Sequence, residues 1–280
     1  MRSLEDVSIY ELVKLSSHSF NRLNLVLGRS EFVRRTAIAF ILRIFGVFIG
    51  IVMTGAVTRL LPMEEAGMFL LSFTLLTVLG LVSTLGLTTS FVRFIGGFSI
   101  EKNWSAINGI FSSGLKVVCI SSFIVGSLLY FLSEFIAISI FKNDQLIAVF
   151  RVFSVSLPFY ALYQLIGFAF QGLRQLISAI FLQNVFCPLV FIVLVVIPLF
   201  FKYNPSIFTF SVSFCIASFI TFAISIFMWF KSRQSTSKVD ITHNYALFNS
   251  AFPLWIASVM AVLVQWSGQI IAGAYVSAGD

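Results

Sequence analysis

The chain has 280 residues, of which 59% are hydrophobic and only 10% charged, and it carries a formal net charge of +7. Soluble domains run at roughly 45–50% apolar and about 25% charged residues, so this composition excludes an ordinary soluble domain and points to a polytopic membrane protein. Its three cysteines and two histidines imply no disulfide framework or metal cluster.

The N-terminal 36 residues are polar and hold Arg2, Lys14, Arg22, Arg29, Arg34 and Arg35. They lack the basic, apolar and small-residue succession of a cleaved signal. Leu4, Ile9, Leu12 and Leu15 are spaced for a weakly amphipathic helix on the membrane surface, with a solvated tail as the alternative. His18 in this tail and His243 in a later loop are expected to be solvated.

A spanning helix needs about 20 mainly apolar residues at ~1.5 Å rise each. Seven windows qualify: 37–60, 67–92, 106–132, 147–168, 178–200, 207–230 and 247–273. No short alternating segments suggest a membrane barrel. The expected fold class is therefore all-α and polytopic, with about seven transmembrane helices. Cys119, Cys187 and Cys215 fall inside these windows, where thiols behave as small apolar groups.

Within the first window, Arg43, Gly50, Thr54 and Thr58 lie along one stripe with Gly46 beside it. Gly46 and Gly50 have the small-xxx-small spacing that admits a neighbouring helix. Arg43 lies roughly 10 Å into the span. It either lines a wet cavity and contacts an anion, or snorkels to the surface. Arg59 falls on the far side and reads as a surface anchor. Arg93 follows Thr88-Thr89-Ser90 at the end of the second window and reads equally as a topology residue.

In the third window Asn108, Ser112 and Lys116 recur every four residues, which predicts a polar face turned inward, bearing either a substrate contact or a paired dipole. Arg151 and Pro158 belong to the fourth window, and Arg174 lies in the turn after it. Pro158, Pro188 and Pro253 each remove a backbone hydrogen bond and favour kinks. Gln164, Gln171 and Gln175, then Gln183 and Asn184, then Gln265 and Gln269 either line a sugar path or hold helices together.

Orientation follows from the basic residues. With the N-terminus cytoplasmic, the tail cations join Arg93, Lys102, Arg174, Lys231, Arg233 and Lys238 inside, leaving Lys142 and Lys202 in outer loops. The positive charge is then a topology signal; no base-reading or phosphate-loop motif accompanies it, and no nucleic-acid partner is expected. Only Glu134 among the acids comes near a span. The chain has no Ser/His/Asp set, no catalytic carboxylate pair and no metal-ligand cluster, so neither enzyme activity nor a cofactor is expected. Inward cations without matching acids imply an anionic ligand, phosphate foremost.

Four segments divide the chain: a cytoplasmic tail over 1–36, a six-helix lobe over 37–230, a polar linker over 231–246, and over 247–280 a helix that opens a second lobe. Sliding the seventh window onto the first sets Asp280 on Glu65, and Ser258, Gln265 and Gln269 on Arg43, Gly50 and Thr54. That register suggests a parallel repeat of a kind transporters use.

Several segments carry a family resemblance. RLLPMEEAG at Arg59–Gly67, LGLTTSFVRFIG at Leu85–Gly96, GFAFQGLRQ at Gly167–Gln175 and AYVSAGD at Ala274–Asp280, together with Arg43, Gly46 and Gly50, resemble polysaccharide export proteins of the multidrug/oligosaccharidyl-lipid/polysaccharide superfamily. The Wzx-type O-antigen flippases are the nearest group. Met63 and Ala66 depart from the family's hairpin pattern. The resemblance implies two six-helix lobes around a central cavity, of which this chain supplies one lobe and the first helix of the next, as a C-terminally truncated fragment. It also implies movement of an undecaprenyl-pyrophosphate-linked oligosaccharide across the bacterial inner membrane. Membrane lipids, a polysaccharide polymerase and chain-length proteins are the expected partners. On that reading Arg43, Arg93, Lys116 and Arg174 would meet the pyrophosphate, and Gln164, Gln171, Gln265 and Gln269 the sugar. The competing expectations are a cation-coupled multidrug exporter of the same superfamily and a non-transporting scaffold of a polysaccharide assembly complex.

Overall fold

The structure, a computed structural model, describes residues 34, 36–200, 206–233 and 244–275, and at 199–200 and part of 244–275 the backbone alone. Most of the expected tail and linker, His18, His243, Lys202 and Asp280 lie outside the described residues. Every described element is a helix or a short connection, and six helices are long and apolar enough to cross a membrane. The protein is an all-α polytopic membrane protein.

In chain order the helices are α1 (Thr36–Leu60), α2 (Met63–Ser83), α3 (Leu87–Ile100), α4 (Trp104–Phe135), α5 (Leu146–Gly172), α6 (Leu176–Ile180), α7 (Cys187–Phe200), α8 (Ile207–Ser232) and α9 (Asn244–Tyr275). Two π-helical turns interrupt the α ladder. One, Ile136–Ile140, extends α4; the other, Phe181–Phe186, joins α6 to α7 in a single rod.

The 67–92 window, expected as one span, is two helices. Leu85 and Gly86 take positive φ angles of 49° and 72°, and the chain turns there. A continuous apolar run hides this break, because lipid rewards apolar side chains whether or not the helix is straight. Side chains from other helices bond the carbonyls at the break: Ser121 Oγ of α4 donates to Ser83 O, and Trp255 Nε1 of α9 donates to Val82 O at 3.0 Å, beside the Leu85 N–H that the same carbonyl accepts. Gly86 also lies against the α9 backbone, where an added Cβ would sit 2.8 Å from Trp255 N. Only glycine meets both the positive φ and this approach.

α5 lies at the centre of the bundle, against α2, α3, α4, α6 and α8. Pro158 inside it cannot donate to Ser154 O. Gly126 of α4 packs over that unpaired carbonyl, close enough that a Cβ would come within 2.8 Å of it. The proline and the missing side chain are two halves of one seam.

Two aromatic cores fill the bundle. Toward the α2 and α8 N-termini, Phe69, Phe153, Phe191, Phe210 and Phe214 form a closed cluster, with centroids 5.5–6.2 Å apart. At the opposite end Trp229 stacks on Phe111 at 3.9 Å and meets Phe170 edge-on at 5.7 Å. The first core is tied to a connection as well: Glu65 Oε2, at the start of α2, accepts from Ile207 N at 2.9 Å and caps α8.

Candidate functional site

Small residues and hydroxyls on α1 open a groove rather than a packed seam. A cavity of about 800 Å³ lies between Arg43, Gly50 and Thr54 of α1, Phe73 of α2, and Gln183 and Asn184 of the π turn. Gly46 sets its inner edge, since a Cβ there would stand 2.9 Å from the Asn184 Cβ. Gly50, one turn on, meets nothing within 4 Å. Half of the small-xxx-small pair brings helices together, and the other half leaves space.

The groove is mainly apolar, with a polar strip of Thr54, Thr58, Gln183 and Asn184 and the exposed cation Arg43, and no carboxylate lines it. The Thr54 and Thr58 hydroxyls donate to Gly50 O and Thr54 O, each at 3.1 Å. Such back-bonding spends their donors and leaves oxygen lone pairs toward the cavity. Opposite them, Gln171 Nε2 donates to Gln183 Oε1 at 2.9 Å, and Gln183 Nε2 donates to Gln164 O at 3.3 Å. Gln164 Nε2 in turn reaches Tyr160 Oη at 3.5 Å. This ladder ties α5 to the π turn, where irregular hydrogen bonding gives the backbone freedom to place Gln183.

The other expected cations do not enter this groove. Arg93 is exposed on α3, with its guanidinium 6.0 Å from the Phe94 ring. Arg174 is exposed with φ 60°, in the left-handed position that ends α5. There its N–H donates to Gln171 O at 2.9 Å while Gln175 N reaches Phe170 O at 2.9 Å, so its backbone closes a Schellman cap. Lys102 ends α3 in the same way, at φ 55°. With Lys231 at the end of α8 and Arg233 beyond it, these residues make one end of the bundle basic.

Lys116 departs from its expected setting. Asn108 is buried, Ser112 is half-buried, and Lys116 is exposed beside the outward Ile120, Phe123 and Ile124. The face does not point inward as a unit: two steps of four residues rotate a side chain by about 80° around a helix of 3.6 residues per turn. Counted with its π turn, α4 has 37 residues, about 55 Å against a hydrocarbon core of ~30 Å. Lys116 is then about 9 Å from the rod's midpoint on the Trp104 side, within snorkelling reach of the headgroups.

Gln265 is exposed on α9, and the Gln269 side chain lies outside the described residues. The residues the sequence reading passed over are Phe73 and Tyr160. Their signal was present only as apolar and aromatic spacing, which core packing explains equally well. Among the described residues no cluster of His, Cys, Asp or Glu could hold a metal ion. The chain matches no protein family, no curated protein and no solved structure.

Proposed function

We propose that this protein is a membrane transporter of the flippase type, whose α1 groove receives the pyrophosphate of a lipid-linked oligosaccharide. The observation that carries this reading is Arg43, an exposed guanidinium in an 800 Å³ groove without a carboxylate. A guanidinium offers a planar fork of donors that matches phosphate oxygens, and it is costly to keep within a bilayer unless an anion or water meets it. The threonine oxygens and the Asn184 amide beside it suit sugar hydroxyls. The substrate's apolar tail suits the lipid side of α1, where Phe40, Ile44 and Phe48 are exposed.

The motif resemblance given above supports the same substrate class and a place in the bacterial inner membrane with the N-terminus inside. The basic end of the bundle fits that orientation under the positive-inside rule. The multidrug-exporter reading needs an acid in the spans to couple or bind a cation. The described acids Glu64, Glu65, Glu101, Glu134 and Asp144 instead stand near helix ends or in connections. The scaffold reading needs no cation in the groove at all.

The test is binding in nanodiscs of a polyprenyl-pyrophosphate oligosaccharide, compared with the same polyprenol lacking phosphate. Arg43→Gln is expected to weaken the first by about tenfold, the loss of one charge-assisted contact, and to leave the second unchanged. Equal affinity of wild type and variant for the pyrophosphate lipid would refute the assignment and favour the scaffold.

A further inference from the structure

A second opening lies on the opposite side of α5 and has a different chemistry. Tyr130 of α4, Val152 and Val155 of α5, and Phe208, Val212 and Ile216 of α8 wall a slot of about 440 Å³. From Phe208 to Ile216 it runs roughly 12 Å along the helices, starting at the α5 and α8 N-terminal end. Its walls are apolar apart from one residue, Arg151.

Arg151 is exposed, and its guanidinium stands 5.5 Å from the centroid of the Tyr130 ring. That cation–π contact holds the group but uses none of its five N–H donors. Among the described residues no acceptor bonds the guanidinium and no carboxylate pairs with it. Glu134, one turn beyond Tyr130, and Asp144, in the connection before α5, are the acids on neighbouring segments, and both are exposed. Helical side chains tilt toward the helix N-terminus. The guanidinium of Arg151, five residues into α5, is therefore carried toward the headgroup level while the slot continues below it into the hydrocarbon.

We infer that this slot holds one acyl chain of a phospholipid from the leaflet at the α5 N-terminal end, with the lipid's phosphodiester paired to Arg151. The two halves of the site match the two halves of that ligand: an apolar slot along the helices, and one fork-shaped cation with free donors where the phosphate lies. An apolar helix from another protein would leave the guanidinium facing apolar side chains. Tyr130 fixes the fork and closes the third wall, so it acts as a positioning residue. The site shares no residue with the α1 groove, and so stands or falls separately from the transport reading.

The experiment titrates phosphatidylglycerol against the purified chain in detergent and counts bound lipid by native mass spectrometry. Wild type is expected to retain one phosphatidylglycerol well above the background of further adducts. Arg151→Gln should weaken that first site by about tenfold. Val155→Trp, which fills the slot and keeps the cation, should weaken it too. Arg59→Gln, which removes an exposed arginine outside the slot, should change nothing. Inorganic phosphate should not compete, and diacylglycerol should not be retained. Wild-type affinity in Arg151→Gln would overturn the inference, as would an equal loss in Arg59→Gln or full competition by free phosphate.

Discussion

α1 and α5 are both apolar enough to span a membrane, yet 22% of the most apolar stretch of α1 is buried within the protein, against 61% for α5. The contrast runs against intuition from soluble proteins, because α5 is the less apolar of the two. In lipid, the surface of a bundle is as apolar as its interior, so hydropathy reports crossing and not burial. What separates them is how closely other helices approach. Around α5, Gly126 covers the Ser154 carbonyl, and Gly167 is filled by the Gln183 side chain. Along α1, Gly50 and Gly55 meet nothing within 4 Å. The same residue type closes a seam in one place and leaves a groove in the other.

The sharpest way to break this comparison is to fill one glycine on each side. Gly126→Leu forces a side chain against a backbone carbonyl and should destabilise the bundle by about 3 kcal/mol or more. Gly50→Leu should change stability by less than ~0.5 kcal/mol while abolishing ligand binding in the groove. Thermal unfolding in detergent, followed by labelling of the buried Cys187 thiol, separates the two. Equal losses would mean that α1 is packed as tightly as α5 and that the groove is not open.

Much of this contrast could be read in advance, and the rest could not, for identifiable reasons. The crossings follow from apolar runs, and the polar stripe of Arg43, Gly50 and Thr54 identified the groove wall on α1. The break at Leu85-Gly86 was invisible because its cause is the approach of Trp255, which is 169 positions from Gly86 in sequence. Periodicity also misled at Lys116: spacing by four keeps neighbours adjacent but drifts around the helix, so a face buried at Asn108 is exposed two turns later. The glutamines were ambiguous from the start. Gln171 and Gln183 hold helices together, and only the pairing of their amides separates that from a sugar path.

That pairing supplies the next prediction. Gln183→Leu keeps the side-chain volume, removes both of its bonds and leaves the Gln171 amide without its partner. Interhelical hydrogen bonds within membranes average about 0.6 kcal/mol, and stranding a half-buried amide adds to that. The expected loss is therefore about 1–2 kcal/mol, smaller than for Gly126→Leu. Because Asn184 also packs on Gly46, a loosened π turn should widen the groove, and ligand dissociation should quicken. An unchanged melting temperature with unchanged dissociation would show that the ladder holds nothing.

The smallest expected effect lies at Glu65, where the N-terminal ends of α2 and α8 meet. Its carboxylate accepts from Ile207 N, at the start of α8, while Ser206 Oγ accepts from Thr209 N at 3.4 Å, so two groups share one helix end. Glu65→Ala removes the charged acceptor and leaves the hydroxyl. A cap loss costs about 1 kcal/mol, and the remaining serine should hold the effect to roughly half of that. Glu65→Gln keeps an acceptor oxygen and should recover most of it, which separates a hydrogen bond from a charge effect on the helix dipole. A loss from Glu65→Ala matching that of Gly126→Leu would move the weight of the fold from the α5 seam to the helix ends. The comparison between α1 and α5 would then no longer describe what holds this bundle together.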